Sequence, residues 1–489
     1  MTYEKPAPYI GEGVVTQEAQ EASRDIAPSE VQVRDFPPGL VGDVASFILS
    51  VSPRPVPQIA LAASVGLLSG IMGRAYNISG SGLNQYVLML ARTGVGKDAI
   101  SVGTSKLMKA VRQTVPAAAD FIGPGELVSS AGLIKWMAEK PCIVSILGEF
   151  GVKMKEMASP NANAHLSGIE RVLLQMYSKS GRDNTFEAIA YSDKANNTKQ
   201  LHSPSLTILA ESVPERFYEM LDERMVMSGL LPRFMIYEYM GDREYIREGS
   251  ELVQPSSSLV QRMCDLTAQC LALGQNGNVH NVPMTDDALN IFRHFDRWTT
   301  DEMNKDKSEV TSGLWNRAHL KAMKLAAVIA VGRNYLNPLI SVDEAHYATH
   351  EIVVQTRRTL NKFELGDVGV EGGNELKQLN CVIKCIGEYM SWPYARISNY
   401  GPSEKMHGSG VFSESYLSRR LLKVAAFSGD KAGPTRALKR AIDNLLNGDE
   451  IRELSKSQLA EQFDTKARSF CVSNPERFIQ SLKKIGLVI

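Results

Sequence analysis

The residues best suited to chemistry lie between 91 and 98, where an apolar run ends in a glycine-rich turn and a lysine. Gly94 and Gly96 let the main chain curl so that several amide N–H groups face one anion, and Lys97 adds a positive charge. A helix that starts after the turn contributes its dipole. The pattern predicts a phosphate-binding loop; the alternative is a glycine-rich turn with an exposed lysine. The predicted nucleotide contacts are Arg92, Thr93, Gly94, Val95, Gly96, Lys97 and Asp98.

The loop departs from the usual pattern at both ends. The common sequence is G-x-x-x-x-G-K followed by Ser or Thr, whereas this chain has Ala91 first and Asp98 last. The apolar stretch 142–150 contains Gly148-Glu149, where an Asp-Glu pair is usual. Carboxylate oxygens are ligands that Mg²⁺ accepts. We therefore expect Asp98 and Glu149 to contribute to Mg²⁺ binding. We also expect Glu149 to polarise the water molecule that attacks the terminal phosphate of a bound nucleotide.

Two further sets of side chains are candidates for the same site. Glu211 and Ser212 end another apolar run, and we expect them at the sheet edge that holds the lysine, as sensors of the terminal phosphate. Arg233 precedes the next apolar run, and an arginine suits charge stabilisation on a phosphoryl group, often from a neighbouring subunit. Arg224 is the second choice for that role. The alternatives are a surface or ion-paired arginine at a strand start and a helix-initiating acid at 211.

Alternating strand and helix patterns predict the fold class. The predicted strands are the apolar runs 86–90, 142–150, 205–212 and 233–239. The predicted helices between them include 98–113, 128–139 and 166–178. Continuous apolar strands separated by helices indicate a parallel sheet covered on both faces. The sequence therefore predicts an α/β core, which is the setting that a phosphate loop needs.

Length and composition restrict the classes of protein. A chain of 489 residues is too long for one ordinary core. With 54 basic and 54 acidic residues the net charge is zero, so nucleic-acid binding must depend on local patches. The six cysteines form no C-x-x-C pair, which favours reduced thiols in a cytoplasmic protein. No apolar stretch reaches the roughly 18 residues of a membrane span, so no membrane partner is expected.

Changes of pattern divide the chain into regions. Residues 1–33 are acidic and polar and predict a flexible arm. The other predicted divisions are a helical region at 34–80, the phosphate-loop core at 81–245, a helical region at 246–365, a glycine-rich linker at 366–374 and a C-terminal domain at 375–489. Helices punctuated by short strands in that last domain are typical of a winged-helix-like module.

Two basic regions are candidates for nucleic-acid contact. The polar stretch 176–200 lies between sheet elements and predicts either a pore-facing loop or a solvated one. Residues 375–489 hold 18 basic and 12 acidic residues, on predicted helices that either contact DNA or are simply solvated. The candidate DNA contacts are Lys179, Arg182, Lys194 and Lys199 in the first region and Arg419, Arg420, Arg436, Lys439 and Arg440 in the second.

The order of these motifs resembles a family of phage, prophage and plasmid P-loop ATPases that are described as DNA helicases. The resemblance covers about 36–365 and is carried by "LMLARTGVGKD", "CIVSILGEFG", "SPSLTILAESVPERFYEML" and "SGLLPRFMIYE". It implies a RecA-like P-loop core similar to that of DnaB-type hexameric replicative helicases. It also implies ATP and Mg²⁺ as cofactors, Lys97 as the phosphate ligand, Glu149 in hydrolysis and Arg233 as a finger across a subunit interface.

The resemblance implies an ATP-dependent DNA helicase or translocase of a mobile element's replication system. The implied partners are single-stranded or forked DNA, further copies of the chain in a hexamer, and a primase on another chain. The family more often has Ser or Thr at 98 and an acid at 148, which this chain lacks. The alternative is a nucleotide-switched DNA-binding initiator, a loader or a defence ATPase, none of which would unwind DNA.

Overall fold

A computed structural model of the protein describes residues 36–489 apart from 160–161, 191–196, 276, 307, 365–372, 429, 431–432, 474, 476–477, 480–481 and 483–489. The predicted flexible arm and most of the predicted linker lie outside the described residues. Pro37–Ile489 forms one compact unit.

The first part of this unit alternates strands and helices. Its helices are α1 (Leu40–Val51), α2 (Pro57–Met72), α3 (Ala99–Thr114), α4 (Ser130–Glu139), α5 (Phe150–Ala158), α6 (Ala164–Ser178), α7 (Pro214–Met220) and α8 (Glu223–Met227). Its strands are β1 (Tyr76–Ile78), β2 (Ser81–Gly82), β3 (Tyr86–Ala91), β4 (Cys142–Leu147), β5 (Thr185–Phe186), β6 (Leu201–His202), β7 (Ser205–Ser212) and β8 (Phe234–Tyr239).

The central sheet has four strands in the order β4-β7-β3-β8, and all of them are parallel. Every residue of β3 is buried, as its uninterrupted apolar sequence requires. The predicted α/β class with a parallel sheet is therefore confirmed. The predicted strand 142–150 is shorter than expected, since β4 ends at Leu147 and α5 starts at Phe150.

Helices cover both faces of this sheet. A β-carbon on Gly70 of α2 would lie 2.5 Å from Val144 of β4, so the missing side chain lets the helix approach the strands closely. Gly66 of the same helix packs in this way on Leu209 of β7. Ser212 points to the opposite face of β7, because side chains alternate along a strand, and there it meets α5.

A helical region follows the sheet, as the sequence predicted. Its helices are α9 (Ser257–Gln275), α10 (Asp286–Lys305), α11 (Glu309–Trp315), α12 (Ala318–Arg333) and α13 (Val342–Glu364). The short strand β9 (His280–Asn281) pairs with β1. Most residues of α12 are buried all round the helix, because it packs against other helices and the edge of the sheet.

The C-terminal region combines helices with a three-stranded antiparallel sheet. Its helices are α14 (Gly373–Ser391), α15 (Tyr394–Ile397), α16 (Glu404–Gly408), α17 (Glu414–Leu421), α18 (Ala425–Ser428), α19 (Pro434–Asn447) and α20 (Lys456–Phe463). The strands β10 (Val411–Ser413), β11 (Ile451–Glu453) and β12 (Ser469–Val472) pair in the order β10-β12-β11. A hydrophobic cluster that includes Tyr389, Phe412, Tyr416 and Phe470 joins these elements.

Candidate functional site

The glycine-rich loop lies where the sequence predicts it, between the buried strand β3 and the helix α3. Gly94 and Gly96 have φ angles of 80° and 99°, in the region that favours glycine. A β-carbon on Gly96 would also come within 2.7 Å of the carbonyl oxygen of Arg54. Both glycines are therefore required by the curl of the loop.

Lys97 faces an acidic side chain from the neighbouring part of the sheet. Its Nζ lies 3.9 Å from Oε1 of Glu149, and its side chain is 11% exposed against 54% for Glu149. Glu149 occupies the turn between β4 and α5, with a φ of 43° in the left-handed region. A non-glycine residue there is strained, and such strain is concentrated at functional sites. The turn aims an accessible carboxylate at the lysine.

Glu211 comes to the same edge, as expected from the parallel strands. Burial raises the pKa of its carboxyl group, Lys97 lowers it, and Asp98 and Glu149 raise it further. One lysine and three acids therefore gather at the carboxyl ends of β3, β4 and β7. Ser212 is not with them, because its hydroxyl is fully buried on the other face of the sheet.

The oxygen-rich character of this edge fits Mg²⁺. Asp98 is exposed at the start of α3 and makes no hydrogen bond that caps the helix. Among the described residues, no group of three or more His, Cys, Asp and Glu side chains is arranged to hold a metal ion. Mg²⁺ usually takes only one or two protein carboxylates together with phosphate oxygens. Asp98 and Glu149 are thus compatible with such a site.

Two arginines beside the loop were missed from the sequence. Nε of Arg243 donates to the carbonyl oxygen of Gly94 at 2.9 Å, and the main chain of Arg54 lies under Gly96. Arg243 belongs to the segment that follows β8, and the amide of Arg247 in that segment donates to the Pro53 carbonyl at 2.8 Å. The rule that strands end at a common edge could have identified Arg243, since it follows the strand beside β3.

Of the remaining loop residues, the two polar ones are accessible. Arg92 is exposed and lies 3.3 Å from Glu215 of α7. Thr93 is exposed as well, whereas Val95 is 4% exposed and anchors the loop in the core.

Arg233 lies at the opposite edge of the sheet. It immediately precedes β8, whose first residue pairs with Tyr86 at the start of β3. The five steps along β3 separate that position from the phosphate loop by about 17 Å of extended chain. Nη1 of Arg233 donates to the Gly229 carbonyl at 2.5 Å. Arg233 is therefore remote from the loop of its own chain.

Arg224, the second choice, lies on α8 and is more accessible. Its guanidinium contacts the carboxylate of Asp222 at 2.8 Å, and its side chain is 56% exposed. No nucleotide-binding group of the loop is among its contacts in the described part of the chain.

The predicted pore loop also belongs to the edge that holds Arg233. Lys179, Arg182 and Lys199 are exposed on the segments that lead from α6 to the amino end of β7. Lys194 lies outside the described residues. The described candidates for single-strand contact and the glycine-rich loop are consequently on opposite edges of the sheet.

The basic residues of the C-terminal region fall into two groups. Arg420 lies 2.5 Å from Glu388 and near the rings of Trp392, Tyr400 and Tyr416. Because these contacts hold Arg420 within the protein, Arg420 is not part of the accessible DNA surface.

Arg440 is also bound within the protein, by Asp430 at 2.7 Å and by Gln378, although its side chain is 42% exposed. Of the candidate DNA contacts in this region, Arg419, Arg436 and Lys439 are exposed. These side chains are the accessible part of the predicted DNA surface.

Comparison with known proteins adds no relative to these observations. No protein-family model matches the chain, and no curated protein matches it. Within the described ranges, no helix combines the length and the apolar composition that a membrane span requires.

Proposed function

We propose that the protein is a P-loop ATPase that hydrolyses ATP and uses the energy to move on DNA as a helicase or translocase. The observation that carries the proposal is the group formed by Lys97, Glu149 and Glu211 beside a glycine loop. Phosphate loops bind their ligand with main-chain amides and a lysine at the start of a helix, and these parts occur together here.

Each residue has a defined task in this proposal. Lys97 holds the β- and γ-phosphates together with the loop amides. Glu149 orients and polarises a water molecule, because its carboxylate is accessible and close to the lysine. Glu211 senses the terminal phosphate at the same edge, where burial makes its carboxyl group responsive to nearby charge. Asp98 and Glu149 would hold Mg²⁺, which when bound neutralises phosphate charge.

The assignment to a RecA-like core is also part of the proposal. Its support is the resemblance of the motif order to mobile-element ATPases and the four-stranded parallel sheet. In a ring, Arg233 would meet the nucleotide of a neighbouring subunit, since it is remote from its own. We infer a homo-oligomer, of hexameric size by the same resemblance, in the cytoplasm.

The DNA part of the proposal rests on exposed basic side chains. Lys179, Arg182 and Lys199 could follow the backbone of a single strand. The C-terminal order of helices and antiparallel strands supports a winged-helix-like module, with Arg436 and Lys439 exposed on α19. A basic helix of such a module contacts duplex or forked DNA.

The second candidate is a nucleotide-switched initiator, loader or defence ATPase that does not unwind DNA. Three departures from the usual pattern favour it, namely Ala91, Asp98 and Gly148. A loop with these residues would bind ATP and change assembly on DNA with little turnover.

The test measures steady-state ATP hydrolysis with and without single-stranded DNA. We expect DNA to stimulate hydrolysis severalfold, and both Lys97→Ala and Glu149→Gln to abolish it. Lys109→Ala is the control, because Lys109 is an exposed lysine of α3. ATP binding without turnover in the unmodified protein would favour the switch, and absence of ATP binding would contradict both candidates.

Unwinding of a forked duplex separates a helicase from a DNA-stimulated ATPase. We expect strand displacement that depends on ATP and is lost in Lys97→Ala. Hydrolysis without displacement on forks of either polarity would exclude the helicase.

A further inference from the structure

Two lysines are fully enclosed at the amino edge of the sheet. Lys321 and Lys324 lie one helical turn apart on α12, with 4% and 0% exposure. Nζ of Lys324 donates to the carbonyl and side-chain oxygens of Asn84 at 3.1 and 2.8 Å, just before β3. Nζ of Lys321 donates to the Phe234 carbonyl at 3.0 Å, at the start of β8. Both amines therefore contact neutral groups.

Two arginines lie beside these amines. The Arg233 guanidinium carbon is 5.8 Å from the centre of the Tyr177 ring, and Nζ of Lys324 is 4.3 Å from the same ring. Burial is the largest cause of the lowered pKa of Arg233 and of Lys324. Arg317 is near enough to lower both pKa values further. Arg233 and Arg317 are both partly exposed, so solvent reaches this group of charges.

In the described part of the chain, these cations have no carboxylate paired with them. Within the described part of the chain, no carboxylate forms an ion pair with Arg233, Arg317, Lys321 or Lys324. An acid on α6, Glu170, lies near Ser228 and has one buried carboxylate oxygen without a hydrogen-bond partner among the described residues, and it is not among the charges that act on Arg233. Buried charges are normally paired, because an unpaired charge in the interior is costly.

Unused hydrogen-bond donors meet at the same place. The hydroxyl of Tyr177 is buried and has no hydrogen-bond partner among the described residues, and the same holds for Nε of Arg233. Tyr177 is 0% exposed. Burial raises the pKa of its hydroxyl, and the nearby charges of Arg233 and Arg317 lower it. Buried polar atoms without partners call for an explanation such as an absent ligand. Two guanidinium groups, a hydroxyl and an amine offer donors without an opposing carboxylate.

We propose that Arg233, Arg317 and Tyr177, with Lys324 behind them, form a second phosphate site at the edge of the sheet opposite the phosphate loop. Guanidinium groups match phosphate oxygens in a bidentate manner, and the hydroxyl supplies a further donor. The phosphate group belongs either to a nucleotide held by a neighbouring subunit or to the backbone of a single strand. The site itself requires neither Lys97 nor ATP hydrolysis.

The primary test titrates inorganic phosphate into the Lys97→Ala protein by calorimetry, so that the phosphate loop does not contribute. We expect saturable binding that weakens roughly tenfold in Arg317→Gln and about fivefold in Tyr177→Phe, as loss of a charged and of a neutral hydrogen bond implies. Tyr177→Phe keeps the ring and removes only an unpartnered hydroxyl, so it preserves the fold. Arg293→Gln, an exposed arginine of α10, is the control.

Two results would overturn this proposal. One is the absence of phosphate binding to the Lys97→Ala protein. The other is a dissociation constant that is equal in the Lys97→Ala protein and in its Arg317→Gln and Tyr177→Phe derivatives. Neither result depends on ATP turnover, so a failure of the ATPase proposal and a failure of this site are distinguishable.

Two further arms identify the source of the phosphate. If it is a neighbour's nucleotide, mixing Lys97→Ala subunits with Arg317→Gln subunits restores hydrolysis that each lacks alone. If it is a DNA strand, a thymidine oligonucleotide binds more weakly to Arg317→Gln. An oligonucleotide with uncharged methylphosphonate linkages is then expected to bind Arg317→Gln and the parent protein with the same affinity. A negative result in both arms would overturn the assignment of the phosphate to these two sources.

Discussion

Replacement of Lys324 by methionine tests the consequence of burying an amine without a carboxylate. Burial, with help from Arg233 and Arg317, lowers the pKa of Lys324 from 10.5 to about 7. Between these two pH values the unfolded chain binds more protons than the native protein. The free energy of unfolding therefore rises with pH in this window, by about 1.4 kcal/mol per unit for one group.

The magnitude follows from the same pKa values. Over the whole window the lysine lowers the stability at pH 7 by about 5 kcal/mol relative to pH 10.5. Methionine removes this penalty but also removes two hydrogen bonds to Asn84, each worth about 1 kcal/mol. We expect Lys324→Met to be more stable than the parent by about 3 kcal/mol at pH 7 and less stable by about 2 kcal/mol near pH 10.5.

The assay is urea unfolding followed by circular dichroism from pH 7 to pH 10.5, in buffer without phosphate. Burial also lowers the pKa of Lys321, to about 8, but this group is present in both proteins and cancels in the difference. Lys109→Met, at an exposed position of α3, is expected to give a pH-independent difference from the parent. A Lys324→Met difference that is equally independent of pH would refute the reasoning.

Four further substitutions test the loop, the turn and the C-terminal region. Gly96→Ala forces a β-carbon to within 2.7 Å of the Arg54 carbonyl at a φ of 99°; thermal unfolding and ATP titration should show about 2 kcal/mol lower stability and weaker binding. Glu149→Gly relieves a left-handed glutamate, so urea unfolding should give about 1 kcal/mol higher stability while hydrolysis is lost; unchanged stability would argue against strain. Arg420→Leu leaves the partly buried carboxylate of Glu388 unpaired and should lower stability by about 2 kcal/mol. Arg436→Ala should instead leave the unfolding midpoint unchanged and reduce the salt dependence of DNA affinity by about one unit of slope, and an equal fall in stability would contradict the distinction.

The strands could be predicted because their sequences follow a simple apolar pattern. Residues 86–91 are apolar without interruption, and a parallel strand covered on both faces requires that. The same rule placed Glu211 with Lys97, since parallel strands end at one edge. Applied to Arg233, which precedes its strand, the rule gives the opposite edge, and there the arginine lies.

The cationic group at the amino edge could not be predicted from spacing. Lys321 and Lys324 occur in a helix with long apolar stretches, where a polar face towards solvent is the usual interpretation. Tertiary packing decides otherwise, because α12 is enclosed by helices and by the sheet edge. Tyr177 and Arg233 reach it from distant parts of the chain, so no local pattern contains the group.

The basic residues of the C-terminal region also show that local sequence patterns do not predict which side chains are accessible. Charge counting treats Arg419 and Arg420 alike, yet only Arg419 is exposed. The rings around Arg420 come from Trp392, Tyr400 and Tyr416, which a helical pattern does not bring together. Position on the helix face and the aromatic partners determine which arginine is accessible.

If the glycine-rich loop and the Arg233 group both bind phosphate, as proposed, their placement at opposite ends of β3 restricts how copies of the chain can assemble. A contact that brings Arg233 of one copy to the loop of another joins unlike surfaces, and it is therefore heterologous. A two-fold dimer cannot satisfy it, because isologous contacts pair a surface with itself. Repetition of such a contact gives a closed ring or an open helical filament, according to whether the rotation per subunit divides the full circle. In the proposed assembly, the length of one buried strand thus separates the two phosphate sites of each copy.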